Sequence, residues 1–292
     1  MTAPFTAALV QAAYPDDAPG HPRATAEAVA RAAAAGARLV LLPELHDGPY
    51  FCQAEDPARF ERAEPVPGPT TERLGALAAR HRLVIVGSVF ERRAAGVYHN
   101  TAVVLDADGR LAGRYRKMHV PDDPGYHEKF YFTPGDQGFR PIDTAVGRLG
   151  VLVCWDQWFP EAARLMALAG AGLLLYPTAI GWDPADDAAE RARQLEAWRL
   201  MHRAHACANG LMVLAANRCG REPGPAGGIE FWGHSLACGP QGEILAEAGG
   251  GPELLCVTLD PARAEAVRRV WPFFRDRRID AYGGLLRRWL GD

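Results

Sequence analysis

No apolar run in this sequence approaches the roughly 18 residues that a membrane-spanning helix needs. An excess of one charge is lacking too. Lys and Arg number 32 against 35 Asp and Glu, a net charge of -3, which gives no reason to expect a nucleic-acid or membrane partner. The start, Met1-Thr2-Ala3-Pro4-Phe5, has neither the basic segment nor the apolar core of a signal peptide. Neither C-x-x-C nor H-E-x-x-H occurs. Six cysteines scattered over 292 residues form neither a disulfide framework nor a zinc site. These absences lead to the expectation of a soluble protein in a reducing compartment, the cytoplasm.

What is present is a chain 48% hydrophobic and 23% charged, long enough for a sizeable core. Residues 5–12, 39–44, 83–90, 148–153, 172–177, 211–217 and 253–259 read as strands, several of them apolar enough to be buried on both faces. Residues 23–35, closed by Gly36, and 70–81, with Thr70 or Thr71 as N-cap, read as helices. So do the stretch beginning at Pro160 and residues 186–209 and 261–270. Residues 106–110, carrying Asp-Gly, and 239–242 read as the turns of two hairpins. Residues 117–138 and 221–228 read as irregular. Strands alternating with helices, with hairpins between, predict an α/β protein with mixed sheets, as one domain over residues 1–292.

Three apolar strands end on a reactive group. Glu44 follows Leu39-Val40-Leu41-Leu42-Pro43, Lys117 follows the strand at 111–115, and Cys154 closes Gly150-Val151-Leu152-Val153. Functional residues of layered α/β proteins gather at strand ends, where the scaffold is rigid and the loops are free. A cysteine at a strand-to-helix junction can expose its sulfur to backbone N–H groups, which favours the nucleophilic thiolate. A carboxylate could take its proton, and an amine could stabilise an oxyanion. Each residue also has an ordinary reading: Cys154 as a small core residue, Glu44 as a solvated loop carboxylate, Lys117 as a surface lysine. His119, His127 and His234 leave a cysteine–histidine pair open.

The surroundings of these residues separate the readings. Leu42-Pro43-Glu44-Leu45, Tyr115-Arg116-Lys117-Met118-His119-Val120-Pro121-Asp122 and Cys154-Trp155-Asp156-Gln157-Trp158-Phe159-Pro160-Glu161 stand in that order. Tyr176-Pro177-Thr178-Ala179-Ile180-Gly181, Ala216-Asn217-Arg218 and Phe273-Phe274-Arg275-Asp276-Arg277-Arg278 follow. From about Phe5 to the tail, the chain resembles the nitrilase (carbon–nitrogen hydrolase) superfamily. Gly48-Pro49-Tyr50-Phe51-Cys52-Gln53 and the run from Pro124 to Asp136 resemble its branch that hydrolyses N-carbamoylated amines such as N-carbamoylputrescine.

The resemblance implies a four-layer α-β-β-α sandwich. It implies Cys154 as nucleophile, Glu44 as general base, Lys117 as oxyanion stabiliser and Glu128 as a second glutamate that positions lysine and substrate. The backbone N–H of Trp155 would complete the oxyanion hole. No metal or organic cofactor is needed. A homo-oligomer is implied, with the tail at about 271–292 reaching a partner subunit. The substrate would be a small N-carbamoyl amine. The alternative is another N-carbamoyl compound, such as N-carbamoyl-β-alanine or an N-carbamoyl amino acid. A non-catalytic member of the fold would lack Glu44, Lys117 or Cys154, and all three are present.

The far ammonium of such a substrate needs a carboxylate or a ring of acceptors. Asp122, Asp123 and Asp183 are the first candidates, then Asp186 and Asp187. Tyr50, Trp155, Trp158 and Trp182 could line the alkyl chain or meet the cation, and Thr178 stands among the pocket candidates. The other five cysteines read as buried spectators. Met118, Asp123, Trp182-Asp183-Pro184 and Trp232 depart from the family pattern without touching Glu44, Lys117, Glu128 or Cys154.

Overall fold

A computed structural model describes residues 3–15 and 21–291. The first half of the chain runs β1 (Phe5–Gln11), α1 (His21–Ala34), β2 (Ala37–Leu41), α2 (Pro69–His81), β3 (Val84–Ala94), β4 (Val97–Leu105) and β5 (Leu111–Arg116). A one-turn helix α3 (Glu128–Tyr131) follows. Then come β6 (Ile142–Thr144), β7 (Gly147–Val151), α4 (Pro160–Leu168), β8 (Leu173–Pro177), β9 (Gly181–Trp182) and the long α5 (Ala188–Asn209). The last third holds β10 (Met212–Ala216), β11 (Cys219–Glu222), β12 (Ile229–Trp232), β13 (Leu236–Cys238), β14 (Ile244–Glu247), β15 (Glu253–Leu259) and α6 (Pro261–Val270).

Two six-stranded mixed sheets carry the fold, in the orders β15-β1-β2-β3-β4-β5 and β14-β13-β10-β8-β7-β6. Side chains alternate across each strand, and here both faces are covered. Leu9, Leu39, Leu41, Val84 and Val86 face Val151, Leu175 and Leu214 of the second sheet in one core. Their neighbours Ala8, Val10, Val40 and Ile85 meet Ala28, Val29 and Ala32 of α1 and Leu74 and Ala78 of α2 on the opposite face. Helices α4 and α5 cover the second sheet with Ala162, Met166, Leu195 and Trp198. The result is the expected α-β-β-α sandwich. Burial on both faces explains why the strands read as nearly unbroken apolar runs. Among the described residues, no helix is long and apolar enough to cross a membrane.

Four expectations need correction. Residues 221–228, read as irregular, begin inside β11, which pairs antiparallel with β12, and β12 pairs with β9 in a third, three-stranded sheet. These strands are two to four residues long and carry Arg221, Glu222 and Glu230, so they lack an alternating signal. Within the stretch read as irregular, α3 supplies a turn of helix that buries Glu128. The N-cap of α2 is Gly68 rather than Thr70 or Thr71. Thr71 instead acts from inside the helix, its Oγ1 accepting the Gly68 N–H at 2.7 Å, while the Glu64 carboxylate accepts the Thr70 N–H at 3.0 Å. Thr71→Ala is therefore expected to cost about 1 kcal/mol, read as a lower denaturant midpoint. Finally, Cys256 is exposed on edge strand β15 and Cys207 is half-buried, so only Cys52, Cys219 and Cys238 are buried spectators.

The topology gathers strand ends at one place. β2 is parallel to β3, and β4 and β5 follow as an antiparallel ladder, which brings the end of β5 to the end of β2. β7, β8 and β10 are parallel to one another. A backbone bond from Glu44 N–H to Thr178 O at 3.3 Å then ties the end of β2 to the end of β8 across the sandwich.

Candidate active site

Glu44, Lys117 and Cys154 all leave their strands within this junction. Lys117 extends the hairpin by one bond, its N–H donating to Asn100 O at 2.9 Å. Glu44 enters a turn in which Leu45 takes φ +49°. Cys154 itself has φ +42° and starts the 3-10 turn Cys154–Trp158. The left-handed region is strained for a side chain with Cβ, at about 1–3 kcal/mol, and persists where the surroundings enforce it. The enforcement is visible. Asp156, fully buried, accepts the Val153 N–H and the Tyr115 hydroxyl at 2.9 Å each, and the His119 N–H at 3.0 Å. One carboxylate thus clasps the cysteine turn to the lysine segment.

Lys117 Nζ lies 2.8 Å from Glu44 Oε1 and 2.7 Å from Glu128 Oε2, and all three side chains are sealed from solvent. Burial alone would lower the ammonium's pKa, but the Glu128 and Glu44 carboxylates outweigh it and hold Lys117 well above the ordinary lysine value. Burial lifts the Glu128 carboxyl to about 7, against the pull of Lys117. Glu128 Oε1 also accepts the Tyr50 hydroxyl at 2.6 Å. Cys154 Sγ points at Ala179 O, 3.6 Å away. Burial, reinforced by the charge of Glu44, pushes the Cys154 thiol well above its usual value, and Lys117 offsets only part of this. Of the two routes open from the sequence, a raised thiolate fraction or removal of the proton during attack, this environment favours the second. The sulfur keeps its proton beside a carboxylate, and Glu44 Oε2 is buried without a hydrogen-bond partner. Such a group can accept that proton during attack.

The family model for carbon-nitrogen hydrolase matches residues 6–269. The chain belongs to the carbon–nitrogen hydrolase family. It is 45% identical over 288 residues to an N-carbamoylputrescine amidase of Solanum lycopersicum, covering 96% of this chain and 94% of that protein. It is 38% identical to a citrullinase of Francisella tularensis, covering 97% and 98%. Its fold matches the crystal structure of a carbon–nitrogen hydrolase from Helicobacter pylori with a TM-score of 0.95 and 48% identity, over 98% of this chain and all of that one.

Around the buried cluster, this hydrolase carries polar residues that sequence reasoning passed over. Arg218, fully buried, donates from Nε and Nη2 to Glu44 O at 3.0 and 2.9 Å, and from Nη1 to Gly48 O at 2.9 Å and Glu222 Oε1 at 2.7 Å. Glu222 Oε2 accepts the Tyr50 N–H at 2.6 Å. Asn217 Oδ1 takes the Ile180 N–H at 3.0 Å and fixes the strand beside Cys154. Asn100 Nδ2 donates to Glu44 Oε1 at 2.6 Å. Asn217 and Arg218 follow an apolar strand just as Glu44 and Cys154 do, so the strand-end signal could have found them. Asn100 sits inside a strand and carries no such signal.

The remaining sequence candidates divide sharply. Tyr50 and Thr178 are buried at the cluster, although the Thr178 hydroxyl donates to Tyr176 O at 3.1 Å. Trp155 and Trp158 are half-buried in the cysteine turn, and Trp182 is half-buried against Trp232, with ring centroids 5.6 Å apart. Asp122, Asp123 and Asp183 are exposed, and Asp183 Oδ1 holds the Ala185 N–H at 2.8 Å. Asp186 accepts the Asp183 N–H at 3.1 Å, and Asp187 caps α5. None of these five joins the buried cluster. His119 Nδ1 lies 2.7 Å from Asp156, His234 pairs with Glu247 at 3.1 Å, and His127 stands 4.0 Å from Asp122. Among the described residues no histidine bonds Cys154 Sγ, and the cysteine–histidine reading has no geometric support.

Proposed function

We propose that this protein is an amidohydrolase of N-carbamoyl amines, with N-carbamoylputrescine as substrate. The observation that carries this reading is one buried ammonium shared by two carboxylates beside a strained cysteine, in a chain 45% identical to an amidase of that compound. Cys154 is the nucleophile. As its sulfur attacks the ureido carbonyl, the proton passes to Glu44 and the carbonyl π pair moves onto oxygen. Lys117 and the Trp155 N–H hold that oxyanion, and each such donor is typically worth about 100- to 1000-fold in rate. The tetrahedral centre collapses, an amine leaves with the C–N electron pair, and Glu44 returns the proton to it. Glu44 then deprotonates water, which attacks the thiol-linked carbonyl and releases the Cys154 sulfur. Glu44 returns that proton to the sulfur, and the carbamic acid released splits its remaining C–N bond to give carbon dioxide and the second nitrogen product, so one urea-like group and one water give putrescine, ammonia and carbon dioxide. Glu128 positions Lys117. Tyr50, Trp155 and Thr178 are the proposed pocket residues, with Asp122 and Asp183 as candidates for the ammonium.

An N-carbamoyl amino acid is the second reading, favoured by the likeness to the citrullinase. Ammonia release separates the two. The purified protein is offered N-carbamoylputrescine, citrulline and N-carbamoyl-β-alanine side by side, with Cys154→Ala as control. Release from the putrescine compound, absent in the control, is the expected result. Preference for a carboxylate-bearing substrate overturns the specificity and keeps the chemistry. Release that survives Cys154→Ala overturns the nucleophile.

The six free cysteines support a reducing, cytoplasmic setting for this enzyme. Its tail supports a homo-oligomer. Leu286, Trp289 and Leu290 are 93%, 76% and 67% exposed, and Trp271 and Phe273 are also bare. A cavity of about 840 Å³ lies between this tail and α4 and α5, and none of the cluster residues lines it. Apolar surface of this kind is what a second copy would cover. Light scattering is expected to report a dimer or larger assembly, and a stable monomer would remove the proposal.

A further inference from the structure

The proposed base has two oxygens in different situations. Glu44 Oε1 receives Lys117 Nζ at 2.8 Å and Asn100 Nδ2 at 2.6 Å, whereas Oε2 is buried with no partner. A carboxylate held by one ammonium alone could rotate about its last bond and exchange the two. The second donor, arriving from another strand, makes the two orientations unequal. Lys117 reaches Glu44 from the end of β5, and Asn100 reaches it from β4.

Asn100 is itself restrained at two points. Its backbone oxygen accepts the Lys117 N–H at 2.9 Å, so the residue sits at a fixed height beside the lysine. Ser88 of β3, the neighbouring strand, donates from Oγ to Asn100 Oδ1 at 3.0 Å. Glu44, which only accepts, requires the NH2 side of the amide, and the Ser88 hydroxyl locks this sense by donating to the carbonyl. An Asn side chain presents a carbonyl on one side and an NH2 on the other. With the carbonyl occupied by the serine hydroxyl, the NH2 faces Glu44. The reverse setting would press a carbonyl oxygen against a carboxylate and leave two buried polar groups mismatched. Ser88 and Asn100 are both about 1% exposed, so water does not compete for these bonds.

We propose that Asn100 is the positioning residue for Glu44, fixing Oε1 on the lysine and presenting Oε2 as the oxygen that exchanges protons with Cys154 and water, and that Ser88 sets the amide for this task. The inference rests on the reading of Glu44 as base and extends it to a residue that touches neither substrate nor sulfur. It also gives a role to a hydroxyl and an amide that are buried side by side on neighbouring strands.

The test is the rate at which iodoacetamide alkylates Cys154, followed by mass spectrometry of the Cys154 peptide across pH 5 to 9 so that exposed Cys256 does not contribute, together with kcat and KM for ammonia release. Alkylation does not depend on which substrate is natural. Glu44 faces Lys117, Glu128, Cys154, Tyr126, Tyr50 and Cys52, none of which is altered in the variants. Asn100→Ala is expected to lower kcat about 10- to 100-fold, with KM within about threefold. Asn100→Asp keeps the shape and the bond from Ser88, but it replaces the donor by a charge. It is expected to lose a similar factor and to move the acidic limb of the alkylation rate up by about one pH unit. Ser88→Ala is expected to lose less, about 3- to 10-fold. A purely structural Asn100 would leave the pH profile of the aspartate variant unmoved. Wild-type rates and profile in folded Asn100→Asp overturn the proposal. So does unfolding of both Asn100 variants, which would make the residue a folding determinant. If Cys154→Ala still releases ammonia as fast as wild type, the assignment of the nucleophile has failed instead.

Discussion

Lys117→Met is expected to lower amide hydrolysis by at least about 1000-fold and to weaken the fold in a pH-dependent way. The two effects have one origin. Lys117 Nζ is the shared cation of Glu44 and Glu128, and all three side chains lie at 0–1% exposure. Methionine fills much of the same volume but brings no charge. The proposed oxyanion donor is lost, and two carboxylates are left facing each other in a sealed site. Removing one partner of a buried ion pair costs about 3–5 kcal/mol, because the other charge stays desolvated. Here the pair can escape part of that by binding a proton. Its folded pKa then lies far above the ordinary carboxylate value, while the unfolded chain keeps the ordinary one. A carboxylate of this kind contributes stability that is present at low pH and lost as pH rises through its folded pKa. The wild-type protein already has the same sign at Glu128, whose carboxyl is lifted to about 7 by burial. Urea melts at pH 5.5 and pH 8 check the point. The variant should trail wild type more at pH 8 than at pH 5.5. An equal loss at both would mean that the two carboxylates do not depend on Lys117 for their charge.

The chain announced its layers through alternation. In β1 and β2 every residue is apolar or nearly so, and the structure divides them between two cores: Leu9, Leu39 and Leu41 inward, Val10 and Val40 outward. Such runs are legible because burial on both faces leaves no polar phase to confuse them. The reactive triad was legible for a related reason. Glu44, Lys117 and Cys154 interrupt apolar strands abruptly, in surroundings that match one family. What could not be read is whatever depends on register between distant segments. Asn100 reaches Glu44 only because β3 pairs with β2 on one side and β4 on the other in particular registers, and no local pattern encodes that. The sheet of β9, β11 and β12 is built from strands too short and too polar to show a period. The balance at the thiol was not legible for a different reason. A helix start lowers a thiol's pKa, whereas burial and the charge of Glu44 raise that of Cys154, and the extent of burial is not written locally in the sequence.

Arg218→Met is expected to be the most destabilising single change outside the proposed catalytic residues. The guanidinium is fully buried over the Tyr14 ring, 4.4 Å from its centroid, and organises three segments at once. It holds Glu44 O, Leu45 O and Gly48 O, which keeps the turn with Leu45 at positive φ in place. Through Glu222 it also anchors the Tyr50 N–H, and the Tyr50 hydroxyl meets Glu128. Methionine keeps bulk but takes these donors from three carbonyl groups and leaves the buried Glu222 carboxylate with the Tyr50 N–H and no cation. Loss of one partner of a buried pair again suggests about 3–5 kcal/mol, or a melting temperature lower by roughly 6–20 °C for a chain of this size. Glu222 decides whether charge or packing dominates. If the unpaired carboxylate is the main burden, Glu222→Gln added to Arg218→Met should recover part of the loss, although each change alone destabilises. Activity offers an independent reading. Because Arg218 grips the main chain of Glu44 rather than its carboxylate, folded Arg218→Met at low temperature should lose kcat through a displaced base while its pH profile keeps the wild-type shape. An unchanged melting temperature would mean that the turn around Glu44 is held by the β2–β8 junction alone.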